Sequence, residues 1–549
     1  MRDTPLYIST MSSLRGLLAE LALLKWRVLG VACFMCAGLY YTMDFPGSFG
    51  MGPRGSIEAY FLSRGEAYTE EMNQSLYSVY AWPNTVLAFV GGLLIDKYLG
   101  LRVATLLFCS LAFLGSVLFW IGVATASFPL MITSRVVFGL GGESLSVAMN
   151  ARVARGVGGG RVLALALGIT ITVSRAWNSA NYLVSPRLCA SHGVPSAALA
   201  GVGVSALSML ACTALFALDR YGESRGDVAR QTADGNASLN LRHILTAPRQ
   251  FFLLCAAGVL VYCVETPFTA VARTYYQVKF DQDETTAASY VALHQMTGAI
   301  ASPLVGLLVD VTGRLAQWLL AAATAFLGIH VLLLATYTPP YVVMPLMGVA
   351  YAMLVASFWP AVPFILPVNM VGIGYGFMMA AQNLGLAVVP LIVGTILDRY
   401  TPSPPGTPWT SPAAANHVTG NSSTTAVLCG VPCGVNVTTT TAVPPGVFAP
   451  LPGLNGFRAA SAMFIGGSVV AMALAALLWW LDGRRTGGVL SASPAQRTAL
   501  LHRVVASRSE KAAVVATDDM ASDGRVDTDS SVPCDSLEEE MLSRHAVDS

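Results

Sequence analysis

Twelve apolar runs of about 20 residues leave this chain few ways to fold. They begin near positions 25, 74, 103, 128, 161, 194, 250, 286, 316, 341, 374 and 457. A run of that length crosses a hydrocarbon layer as a helix, because a helix satisfies its own backbone hydrogen bonds where no water is present. The expected fold class is an all-α membrane protein with twelve transmembrane helices, its exterior facing the lipid bilayer. Only 11% of the 549 residues are charged, against about a quarter in soluble domains, so a water-filled exterior is excluded as the main setting. A net charge of +1 gives no basic surface for nucleic acid. No Cys/His spacing resembles a metal site, no cofactor motif is present, and no cleavable signal peptide is expected.

An even number of spans puts both ends on one side. Lys97, Arg102, Arg152, Arg155, Arg161, Arg220, Arg225, Arg230, Arg314, Arg484 and Arg485 fall on that side, which the positive-inside rule makes cytosolic. The opposite loops agree. The long loop 399–456 carries the sequons at Asn421 and Asn436, and glycosylation occurs on the lumenal or extracellular side. Cys429 and Cys433 share that loop; a disulfide and two free thiols are equally good readings. The other cysteines quoted by the apolar runs, such as Cys33, Cys109 and Cys255, read as small packed residues.

A polar connection, 219–249, divides the spans into a half at 25–218 and a half at 250–481, with 1–24 a cytosolic N-terminal segment and 482–549 an expected disordered cytosolic tail. The halves repeat weakly. The second span ends in GGLLIDKYLGLR, with Asp96, Lys97 and Arg102, and the eighth ends in GLLVDVTGR, with Asp310 and Arg314. Glycine permits a tight turn there, while the Asp and basic side chains can pair with each other or with a helix end in one conformation. These five residues are the expected gating group. Six plus six spans with this duplicated turn resemble the major facilitator superfamily, whose halves rock about a site near the bilayer midplane. The first copy departs from the superfamily pattern by one extra residue between Asp96 and Gly100.

Two charges lie deep in the spans. Glu143 follows three glycines in FPLMITSRVVFGLGGESLSVAMNARVAR, and Arg175 lies in the next run. A carboxylate at that depth costs at least about 2.5 kcal/mol, so something must hold it. Counted from the span ends, the two stand within about 6 Å in height. One reading is a structural Glu–Arg pair locking the fourth and fifth helices. The other is a two-ended site: the termini of a dipeptide are about 7 Å apart, and a guanidinium forks onto a carboxylate.

Other polar residues carry paired readings. Asn178 and Tyr182 share the face of Arg175, and Ser146 and Asn150 share that of Glu143; such stripes line a cavity or join helices. Gln382 and Asn383 stand in the second half where Ser174 and Arg175 stand in the first, as amides for a peptide backbone or as an interhelical bond. Trp82 and Trp359, each followed by proline, are gate or core residues, with core packing the better expectation. Glu265 and His294 are candidate proton carriers, or else a Glu near a helix end and a hydrogen-bonded His. Arg135 reads as a helix anchor, and Asp44 as a lumenal gate or a solvated helix end. Gly142-Glu-Ser144-Leu-Ser146 approaches a serine-hydrolase elbow but lacks the final glycine and sits mid-helix, so no enzyme is expected.

Several blocks resemble one branch of the superfamily, the lysosomal dipeptide uniporters: YAWPNTVLAFVGGLLIDKYLG from Tyr80, RVVFGLGGESLSVAMN from Arg135, FWPAVPFILP from Phe358 and YGFMMAAQNLGLAVVPLIVGTILD from Tyr375. The resemblance implies a facilitator that moves dipeptides out of the lysosome, with Glu143 and Arg175 at the two ends of the substrate. It also implies an accessory glycosylated membrane subunit, although this chain brings a glycosylatable loop of its own. Sorting rests on the resemblance, since Leu500-Leu501 lacks the acidic residue of a dileucine signal. The alternatives are a proton-coupled symporter of amino acids, peptides or another small organic solute, and a non-transporting sensor built on a transporter fold.

Overall fold

The computed structural model describes residues 29–52, 56–93, 98–157, 161–224, 241–366, 368–401, 453–485, 488–493 and 496. Among them there is no strand. Helices stand at each of the twelve expected places: α1 (Leu29–Met43), α2 (Glu70–Leu93), α3 (Gly100–Ala124), α4 (Phe128–Val157), α5 (Arg161–His192), α6 (Val194–Ser224), α7 (Arg249–Phe280), α8 (Glu284–Thr312), α9 (Leu315–Ala335), α10 (Pro340–Phe358), α11 (Val368–Arg399) and α12 (Leu454–Arg485). Eight of these, α3 and α6 through α12, are long and apolar enough to cross a membrane among the described residues. Buried polar and charged residues lie on the other long helices, α2, α4 and α5, and also on α7 and α8, among them Glu265, Arg273, His294 and Gln295.

Helix pairing reproduces the weak sequence repeat. Within the first half α3 packs on α4 and α6, α2 on α4, and α1 on α5 and α6. In the second half α9 packs on α10 and α12, α8 on α10, and α7 on α11 and α12. Adding six to each helix number converts one set into the other. The two principal contacts between halves, α2 with α11 and α5 with α8, exchange under the same rule. The seam therefore has two equivalent walls. Each half also keeps its own apolar core: Phe251, Phe326, Met347 and Phe464 belong to one, Met35, Phe108, Phe138 and Cys212 to another.

The boundaries differ from expectation in several places. The first helix turns at Cys36 and again at Asp44, before a short helix, Phe45–Phe49. The connection expected from 219 starts later, since α6 continues to Ser224, and it ends in a 3-10 turn at Leu241–Thr246. The tail expected from 482 begins inside α12, and the chain then folds back. Asp482 accepts hydrogen bonds from the amides of Leu490 (3.1 Å) and Ser491 (2.9 Å), and Leu490 is buried in the second-half core. Ala492 accepts from the Arg314 amide at 3.3 Å, while Gly313, at φ +66°, leaves no room for a side chain against that segment. Of the expected gating group, Arg102 starts α3 half-buried, and Asp310 and Arg314 are exposed at the α8–α9 turn. Asp96, Lys97, Asn421, Asn436, Cys429 and Cys433 lie outside the described residues.

Candidate functional site

The glycines before Glu143 set the depth and approach of α4. A side chain at Gly139 would meet the Tyr80 carbonyl oxygen at 2.6 Å, and one at Gly141 would meet the Phe108 carbonyl oxygen at 2.4 Å. Only backbone fits at either contact, so α2 and α3 close directly onto α4. Glu143 emerges at the end of this packed stretch, half-buried, with Tyr80 Oη donating to its Oε1 at 3.4 Å. Close helix packing is thus the observed use of these glycines.

Arg175 on α5 points across the seam. Its Nη1 donates to Gln295 Oε1 on α8 at 2.9 Å, and its guanidinium carbon lies 3.6 Å from the centroid of the Tyr351 ring on α10. Gly298 makes space for it, since a Cβ there would stand 2.9 Å from Nη1. Among the described residues, no ion pair joins Glu143 to Arg175. Arg175 is held by the second half through a neutral acceptor and an aromatic face. Tyr40 on α1 approaches the Glu143 face of α4, its hydroxyl 3.3 Å from Ser146 Oγ.

The residues around Arg175 are engaged by other protein groups. Asn178 Nδ2 donates to Asp44 Oδ2 at 2.6 Å, and both residues are buried, so Asp44 is not a solvated helix end. Tyr182 is fully buried beside Gly47. Arg135 anchors the end of α1, donating to the carbonyls of Thr42 (3.1 Å) and Met43 (3.3 Å) over the Phe119 ring. In the second half Asn383 donates back to Met379 O in its own helix at 2.9 Å, and Gln382 is half-buried nearby.

Glu265 and His294, which sequence offered separately, form one buried pair: His294 Nε2 lies 2.9 Å from Glu265 Oε1, and Thr266 donates to the other carboxylate oxygen at 2.8 Å. Glu265 sits in the middle of α7, not near its end. Trp359 begins a 3-10 turn after α10 and donates through Nε1 to Tyr262 Oη at 3.1 Å, while Tyr375 donates to its carbonyl at 3.1 Å. Tyr262 in turn meets Tyr351 edge to face at 5.9 Å. An aromatic wall thus runs from Trp359 to the ring beneath Arg175. Trp82 departs from its expected core role, with 49% of its surface exposed.

Sequence reasoning did not single out Gln295, Tyr351, Tyr40 or Tyr262. Gln295 adjoins the His294 that was noted, yet adjacent helical residues point about 100° apart, and only the docking of α5 on α8 turns it toward Arg175.

Glu143 and Arg175 thus stand in the bundle as two opposite charges that are not paired with each other. Residues 18–390 match the family described as the Major Facilitator Superfamily. The chain is 32% identical over 382 residues to the lysosomal dipeptide transporter MFSD1 of Mus musculus, covering 68% of this chain and 80% of that protein. The Bos taurus protein of the same name is 33% identical over 390 residues, covering 68% and 79%. Among solved structures, the nucleoside transporter NupG superposes with a TM-score of 0.56 at 10% identity, over 83% of this chain and 98% of that chain, a likeness of fold.

Proposed function

Since the chain belongs to the major facilitator superfamily, we propose that it is a twelve-span carrier of dipeptides or similar short peptides, working as a uniporter by alternating access in the lysosomal membrane. The observation that carries this reading is that Glu143 and Arg175 are not spent on each other. Glu143 takes one long hydrogen bond from Tyr80, and Arg175 rests on Gln295 and Tyr351. A bound peptide would offer its amine to Glu143 and its carboxylate to Arg175, replacing Gln295 as the acceptor. Both ends would gain a charge-assisted bond in a site with little water, where such bonds are strong. The aromatic wall of Tyr351, Tyr262 and Trp359 would face an apolar side chain or a peptide plane. The relatives named as lysosomal dipeptide transporters support the substrate class and the compartment.

A second reading has one observation in its favour. The buried His294–Glu265 pair adjoins Gln295, so its protonation could be felt at Arg175, as a proton-coupled symporter requires. Uptake of neutral, basic and acidic dipeptides, free amino acids and hexoses into proteoliposomes decides between them. The uniport reading expects dipeptide equilibration without an imposed pH gradient, abolished by Glu143→Gln and by Arg175→Ala in protein that remains monodisperse. Uphill accumulation on a proton gradient would transfer the proposal to symport. Uptake of another solute class alone would remove peptides from it.

A further inference from the structure

Among the described residues, a series of hydrogen bonds crosses the seam toward one side of the membrane. From mid-bundle outward they run Thr172 to Ala299 O at 3.1 Å, Arg175 to Gln295, Ser179 to Ala292 O at 3.0 Å, and Ser78 to Ala387 O. They end at two stronger contacts on the expected lumenal face. At the first, Arg273 of α7 donates through Nη1 to Ser48 O in the short helix after α1, at 3.0 Å, while Glu284 of α8 steadies Nη2 at 3.1 Å. Arg273 is 1% exposed. Gly50, at φ +54°, lies directly on the guanidinium, and a Cβ there would meet Nη1 at 2.2 Å, so the first half is shaped to receive that group.

The second contact lies on the α2–α11 wall. Asp398, near the end of α11, gives one carboxylate oxygen to the Glu70 amide at 2.9 Å and the other to the Glu71 amide at 2.8 Å. These are orphan donors at the N-terminus of α2, where a carboxylate also meets the positive end of the helix dipole. The capping group comes from the opposite half of the molecule. Gly394, one turn earlier, allows the approach, since its Cβ would stand 2.7 Å from Glu71 Cα. Bonds inside a half survive a rocking motion, whereas bonds across the seam must break for that face to open.

We propose that Arg273 and Asp398 are paired clasps that close the path to the site on the expected lumenal face, and that their release governs how often the site is open to that side. The inference rests on the alternating-access reading and is independent of what is carried. Each clasp joins a charged group to backbone atoms of the other half, so closure needs no matching charge there. Loss of one clasp is expected to shift the balance of the two orientations by about tenfold, the scale of one hydrogen bond to a charged group.

Accessibility to a membrane-impermeant maleimide tests this in sealed proteoliposomes without any substrate. One reporter is Ser78→Cys on the seam toward the lumenal face. The other is Ser302→Cys, one turn beyond Ala299 on the α8 stripe facing α5, toward the cytosolic face. Native cysteines are subtracted with the unsubstituted chain. With Arg273→Gln or Asp398→Ala, labelling of Cys at 78 from the lumenal side should rise about tenfold while labelling at 302 from the cytosolic side falls. Asp398→Asn, which keeps one acceptor, should give an intermediate shift. Unchanged rates at both reporters overturn the proposal. A rise at both also overturns it, because general loosening has no direction. Should the larger substitutions fail to fold, Arg273→Lys and Asp398→Asn carry the same comparison. Because no substrate is used, failure here is separate from failure of the peptide reading.

Discussion

Arg175 of the first half lies face-on over Tyr351 of the second, its guanidinium carbon 3.6 Å from the ring centroid. In the proposed alternating-access cycle this contact would be remade or lost as α5 moves against α10, which would couple Arg175 to the motion of the two halves. A desolvated cation–π contact is worth up to about 2 kcal/mol. Tyr351→Leu should therefore raise the KM for dipeptide uptake by about tenfold, whereas Tyr351→Phe, which keeps the ring, should change it by less than about threefold. Initial-rate uptake across a substrate concentration series measures both.

Glu143, the other end of the proposed site, is held more loosely. At 3.4 Å the Tyr80–Glu143 hydrogen bond is long, and its removal is expected to cost no more than about 1 kcal/mol. Tyr80→Phe should keep most uptake. Glu143→Gln should abolish it, because the amide offers no charge to an ammonium group. Equal loss in both variants would mean that the Tyr80 hydroxyl is as necessary to the contact as the carboxylate.

Much of the fold was legible because lipid enforces it. Apolar length set the helices, and the DKYLGLR and DVTGR turns disclosed a repeat that the pairing of α2 with α11 and α8 with α5 reproduces. Glu143 and Arg175 stood out because charge at that depth is costly. Their partners did not, since Gln295 and Tyr351 are ordinary residues for a helix and gain their role from docking with another half. The same holds for Asp398 and Arg273, which sequence places near helix ends. Their acceptors and donors are backbone atoms, which leave no mark in a pattern of side chains. The turn at Gly488–Ser493 was hidden for a similar reason: a polar composition masked one buried leucine, Leu490.

Glu58 makes the protein's stability depend on pH. It lies outside the spans, in the helix Ile57–Ser63 of the α1–α2 connection, and burial raises its carboxyl from 4.5 to about 7, against the opposing hydrogen bond from the Gly52 amide at 2.9 Å. The folded state therefore holds this proton more tightly than the unfolded chain. Its contribution is fully present below about pH 4.5, declines as pH rises, and is lost above about 7, for a change of up to about 3 kcal/mol. Thermal unfolding of purified protein should show Tm falling between pH 5 and 7.5, and Glu58→Gln should flatten that slope. A slope unchanged in the variant would assign the dependence to other carboxyls.

Two glycines make a matched test of how α4 presents Glu143. At Gly141 an added Cβ would sit 2.4 Å from Phe108 O and 2.8 Å from Ala112 N, both backbone atoms that cannot turn aside, whereas at Gly168 nothing lies within 4 Å. Alanine gains about 1 kcal/mol over glycine inside a helix, and overpacking costs about 1 to 3 kcal/mol. Gly168→Ala should therefore leave Tm unchanged or raise it slightly. Gly141→Ala should lower Tm, and it should reduce uptake as well, because α4 can relieve the clash only by moving away from α3 and carrying Glu143 with it. If Gly141→Ala lowered Tm but left the KM for dipeptides intact, the close packing of α3 on α4 would serve stability alone, and the position of Glu143 would have to be set by Tyr80 and the α2 contact at Gly139.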